Sequence, residues 1–168
     1  MKIKSYMITG TIFVSILGTL LHFAYNLSGN NTLIGIFTPI NESTWEHTKL
    51  LFFPMLVYSL YLQRKKGAEY PHIRAAMNVS ILLGVFLIIA LFYTYSGIIG
   101  FNTPFVDISL FFVSVIAAFF VSYKLTLSEK IDKYKGVLML FVIALLFMYI
   151  IFTFFPPHIP LFISPAGM

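Results

Sequence analysis

Arg64-Lys65-Lys66-Gly67-Ala68-Glu69-Tyr70-Pro71-His72-Ile73-Arg74 is the stretch on which the fold turns. Four cations and a proline break stand here between two long apolar runs. Short loops of this kind stay on the cytoplasmic side of a bilayer. Lys124 to Lys135, with four lysines beside Glu129 and Asp132, is a second such loop, and the chain opens Met-Lys-Ile-Lys. Placing all three segments inside accounts for ten of the eleven Lys/Arg, Lys49 being the exception. The same sorting sends Glu42, Glu46, Asp107, His47 and His158 to the opposite side, with His22 at the outer end of the first apolar run.

Composition requires the same solvent. The 168 residues are 59% hydrophobic and 10% charged, against roughly 45–50% and 25% in soluble domains. A net charge of +5 would suggest nucleic acid in a soluble protein, but these cations flank apolar spans, so no nucleic-acid role follows. Without cysteine there is no disulfide, thiolate nucleophile or thiolate metal site.

A crossing takes about 20 apolar residues. Five such runs are present, at about Tyr6–Leu27, Trp45–Gln63, Ala75–Gly97, Pro104–Tyr123 and Gly136–Phe155. They predict an all-α bundle of five transmembrane helices forming a single domain over residues 1–168, multi-pass in the cell (plasma) membrane with the lipid bilayer as partner. The N-terminus is expected in the cytoplasm and the C-terminus outside. The first run is too long, and His22-Phe23-Ala24 too bulky, for a cleaved signal. Ser28 to Thr44 is expected to form a structured outer loop, Gly97 a helix stop, Thr103-Pro104 a helix start, and Pro156-Pro157 the end of the fifth helix. The three prolines in Pro156-Pro157-His158-Ile159-Pro160 stiffen the tail into a strap able to fold back.

Ionisable groups at a membrane edge are costly and need partners, so function is their default explanation. The densest group is Asn41-Glu42-Ser43-Thr44-Trp45-Glu46-His47-Thr48-Lys49. Glu42 and Glu46, four apart, share a face if the helix has begun by Glu42, with His47 about 100° round the axis. Against this, Ser43-x-x-Glu46 is a capping-box pattern. Trp45 has the plainer role of interfacial anchor, and Lys49 can pair with Glu46 or snorkel. Asp107 suits the first turn of its helix on dipole grounds alone. His22 has Tyr25 and Asn26 on its own face.

All these groups near one membrane face fit a divalent cation held by some of His22, Glu42, His47, Asp107 and His158. Zinc is favoured, with manganese or iron also suited to N/O ligands. Glu46 is then a candidate general base, accepting the proton of a metal-bound water for hydrolysis of a lipid-linked or membrane-proximal substrate. Lys49, Trp45, Tyr25 and Asn26 are candidate contacts to that lipid or small molecule. The rival is a non-catalytic cation- or proton-coupled transporter, or a ligand-binding membrane subunit, using the same acids as a relay; a third class is a structural partner. The nearly unbroken apolar stretches of the third and fifth helices favour a closed pocket over a channel.

The Asn-Glu-Ser-x-Trp-Glu-His-x-Lys string, with His22 upstream and Pro156-Pro157-His158-Ile159-Pro160-Leu161-Phe162 at the end, resembles a family of small bacterial multi-helix membrane proteins catalogued as a domain of unknown function. The likeness spans essentially the whole chain. It implies a bacterial cell membrane and a multi-helix fold, and supplies no activity. The family tail continues to Asp-Pro where this chain has Ser164-Pro165, so no carboxylate stands there.

Overall fold

In the computed structural model, residues 2–165 are described and contain helices without strands. Five long helices, α1 (Ile3–Leu27), α3 (Thr44–Lys66), α4 (Ile73–Ile99), α5 (Pro104–Thr126) and α6 (Lys135–Phe154), are joined by short connections. Three elements lie in segments expected as loops or tail: the short helix α2 (Thr32–Phe37), a six-residue 3-10 helix at Glu129–Tyr134 and a single 3-10 turn at Pro160–Phe162. α2 begins where Asn31 Oδ1 accepts from the amides of Leu33 and Ile34, an N-cap that satisfies two donors of its first turn.

Among the described residues, α1, α4, α5 and the run ending in α6 are long and apolar enough to cross a membrane. A membrane helical bundle follows. α3 is set apart by composition, for it carries Glu46, Lys49 and a basic last turn. It is also the helix buried along most of its length, packed between α1 and α4 and touched by the returning Pro160–Phe162 turn. Its polar groups are thereby kept from lipid, where each unsatisfied group costs several kcal/mol.

Small residues let the helices close on α3, as is usual for membrane interfaces. Pro54, inside α3, has no N–H to give to the Leu50 carbonyl one turn back. Gly18 of α1 is the residue that faces this carbonyl: a Cβ there would stand 2.5 Å from Leu50 O and 2.6 Å from Phe111 Cζ. Gly84 on α4 makes a similar approach to Leu51 and Ala118. α4 runs past Gly97 and stops at Gly100, whose φ of 87° suits glycine; Gly97, expected as the stop, lies within the helix.

The basic segments gather at one end of the bundle. Arg74 donates to Gln63, His72 lies 3.5 Å from Asp132, and the Lys66 ammonium stands over the Tyr6 ring. The opposite end brings together the start of α3, the ends of α1 and α4, and the start of α5. The tail returns as a strap, with Phe162 buried against Trp45 at a centroid distance of 5.0 Å.

Candidate metal centre

α3 begins at Thr44, with Ser43 as N-cap accepting from the Glu46 amide at 3.4 Å. The reciprocal half of a capping box does not form. The Ser43 amide instead donates to Asn41 Oδ1 at 2.9 Å, which frees the Glu46 carboxylate to accept from the Ile40 amide at 3.0 Å. Glu42 therefore lies outside the helix, and Glu42 and Glu46 point to different places.

Glu42 meets His47. His47 Nε2 is 3.2 Å from Glu42 Oε2, while His47 Nδ1 is 3.0 Å from the Ser43 carbonyl. A carbonyl only accepts, so Nδ1 carries the hydrogen, and Nε2 faces the carboxylate. His22 of α1 stacks on His47 with ring centroids 5.3 Å apart. Donor atoms of His22, Glu42 and His47 all lie within 4.8 Å of one another. The hydrogen bond with His47 holds the Glu42 carboxyl below its ordinary range, although partial burial acts the other way.

Asp107, in the first turn of α5, closes the polar end from the far wall. Its Oδ1 accepts from the Tyr95 hydroxyl and its Oδ2 from Asn102 Nδ2 at 3.0 Å. Tyr95 in turn accepts from the Thr103 amide at 3.1 Å, so the carboxylate is fixed by α4 and the α4–α5 turn together. His22, Glu42, His47 and Asp107 line one pocket of about 380 Å³, whose remaining wall is mainly apolar, including Leu50, Ile88, Phe92 and Phe111.

The other half of the motif faces away. Glu46 and Lys49 form an ion pair of 2.6 Å, both side chains buried. Lys49 Nζ donates also to the Gly35 carbonyl at 3.0 Å and to Thr153 Oγ1 at 2.6 Å, tying α2, α3 and α6 at one point. Thr48 and Tyr149 share a hydroxyl contact of 2.6 Å beside it. Glu46 is thus engaged as an acceptor and lies outside the pocket, contrary to the expectation of a free base; Lys49 and Trp45 are likewise interior groups that do not line it. Trp45 packs on Tyr149 and Phe162. Tyr25 stands against Gly35 of α2, Asn26 is exposed, and neither lines the pocket. His158, on the strap, is exposed and outside the His22–Glu42–His47 group.

Tyr95 and Asn102 carry no pattern in the sequence that sets them apart from other interfacial aromatics and turn residues. Only their contact with Asp107 marks them as parts of the site. Thr19 and Thr44 also line it.

No curated protein matches the chain, and no solved structure does. The model of a family of unknown function, DUF6512, matches residues 1–167, and the chain accordingly belongs to that family.

Proposed function

We propose that this integral membrane protein binds one divalent metal ion, zinc before manganese or iron, through His22, Glu42 and His47 at the outer face of the cell membrane. The observation that carries this reading is the hydrogen bond from His47 Nδ1 to the Ser43 carbonyl. That bond commits Nδ1 as a donor and turns Nε2 toward Glu42, the arrangement by which metal-ligating histidines are oriented. With Nδ1 committed to Ser43, the 3.2 Å contact between Nε2 and Glu42 Oε2 is bridged by a proton in the metal-free protein, and a divalent cation taking that proton's place gains both groups as ligands. Zinc bonds of about 2.0–2.2 Å to N and O place tetrahedral ligand atoms roughly 3.4 Å apart; the His47–Glu42 separation of 3.2 Å meets this, and the ligand atoms of His22, Glu42 and His47 lie within 4.8 Å of one another.

Three protein ligands leave a coordination position for water or substrate, as in catalytic zinc sites. A metal-bound water next to a carboxylate is the minimum for hydrolysis, and Asp107 rather than Glu46 is the carboxylate across the pocket. The substrate class is a lipid-linked or membrane-proximal molecule, consistent with the apolar wall. The five long helices are read as five crossings, α3 shielded by the others, with the basic end in the cytoplasm. The transporter alternative draws less support, because Leu50, Ile88 and Phe111 leave the inner part of the pocket apolar.

Elemental analysis of protein purified without chelator, followed by zinc titration of the wild type and of His47→Ala, tests the reading. One zinc per chain in the wild type and its loss in the variant are expected. A wild type that neither retains nor takes up a divalent metal sinks the proposal and leaves a His47 imidazolium paired with Glu42.

A further inference from the structure

The pocket is not walled evenly. Its floor residues Leu50 and Ile88, on α3 and α4, are 6% and 7% exposed. Its rim residues Phe23 on α1 and Ile108 and Phe112 on α5 are 54%, 58% and 37% exposed. Thr19 and Pro104, on the same two helices, are exposed as well. The pocket is therefore a slot between α1 and α5, open on the flank of the bundle. α1 and α5 are both apolar spans, so that flank faces hydrocarbon. Away from the polar end the slot is stopped where Gly18 lets Leu50 and Phe111 close together.

We infer that the slot is loaded sideways from the bilayer by a single-chain lipid with an anionic headgroup, the chain lying between α1 and α5 and the head seated at the His22–Glu42–His47 metal. This inference rests on the metal reading above. Three features select the occupant. The lining is apolar from Phe111 outward and polar only at one end, so the ligand must be amphipathic with its head at that end. A volume of about 380 Å³ is near the bottom of the roughly 300–1,000 Å³ range of small-molecule sites, which suits one chain rather than two. The open position on a three-ligand metal takes an oxygen donor, and Lys49, the one cation near this end among the described residues, is already committed to Glu46. The anion is therefore held by the metal and not by a side chain.

The probe is lysophosphatidic acid, a single acyl chain with a phosphate monoester, offered in detergent to the full-length protein with and without zinc and followed by native mass spectrometry. Monoacylglycerol supplies the chain without the anion, phosphatidic acid the second chain, and inorganic phosphate the anion alone. Retention of lysophosphatidic acid by the zinc-loaded protein, at least about tenfold above each control, is expected, a difference of roughly 1.4 kcal/mol. Ile108→Trp and Phe112→Trp, both on the lipid-facing rim, should lower retention by about tenfold or more with zinc stoichiometry unchanged. The inference is overturned if zinc binds yet lysophosphatidic acid is held equally by zinc-free protein, by the rim variants, or no better than phosphate alone. Failure of the wild type to bind zinc would overturn the metal reading itself, and the two failures are told apart by the metal analysis.

Discussion

The Lys49 ammonium and the Glu46 carboxylate lie 2.6 Å apart with neither side chain exposed, and Lys49 reaches on to Thr153 of α6 at the same distance. A charge pair so placed in a membrane protein is a joint. Because Glu46 also accepts from the Ile40 amide, the joint fixes the segment that leads directly into Glu42.

Breaking one partner leaves the other charge buried alone, at a cost of about 3–5 kcal/mol. Lys49→Met and Glu46→Gln should each lower the thermal midpoint of the purified protein by several degrees, and the double variant should recover much of the loss. A Lys49→Met protein as stable as the wild type would show that the pair contributes nothing to holding α2, α3 and α6 together.

The three histidines outside the basic end are separable by metal binding. His22→Ala and His47→Ala each remove a ligand, so zinc affinity should fall by more than the roughly 10–100-fold seen for loss of an outer-shell partner. His158→Ala, on the exposed strap, should leave it unchanged. Calorimetric titration in detergent separates these outcomes, and a large loss in His158→Ala would place the tail in the site.

Gly18 and Gly97 make a matched pair. A Cβ at Gly18 would sit 2.5 Å from Leu50 O, whereas nothing lies within 4 Å at Gly97. Gly18→Ala should force α1 off α3, cost about 1–3 kcal/mol as overpacking does, and weaken zinc binding by displacing His22 from His47. Gly97→Ala should be neutral or gain up to about 1 kcal/mol from helix propensity. Equal stability of the two variants would refute the close approach.

The strap is held by an aromatic contact. Phe162, 9% exposed, packs on Trp45 and Phe152, and truncation of such a ring costs about 3–5 kcal/mol. Phe162→Ala should therefore open the tail to limited proteolysis near Pro156–Pro160 while zinc stoichiometry stays at the wild-type value. Unchanged protease resistance would mean that the strap is held elsewhere.

Some of this was written in the chain. The alternation of apolar runs with Lys/Arg loops determined five long helices in antiparallel order, since hydrocarbon and charge cannot share a depth, and the same sorting put His22, Glu42, His47 and Asp107 at one end. The prolines of the tail allowed a stiff strap, but its return onto the bundle is made by Phe162 packing on Trp45. Facing directions were decided by tertiary structure. The four-residue spacing of Glu42 and Glu46 implies one face only inside a helix, and the Asn41 side chain takes the Ser43 amide so that the helix starts after Glu42. Glu42 then turns to His47 and Glu46 to Lys49. Asp107 became part of the pocket only through Tyr95 and Asn102, and His22 only through the approach of α1 at Gly18. Periodicity sets where each element lies along its own axis, but which neighbour a side chain meets depends on how helices rotate and cross, and close packing of the whole bundle sets that.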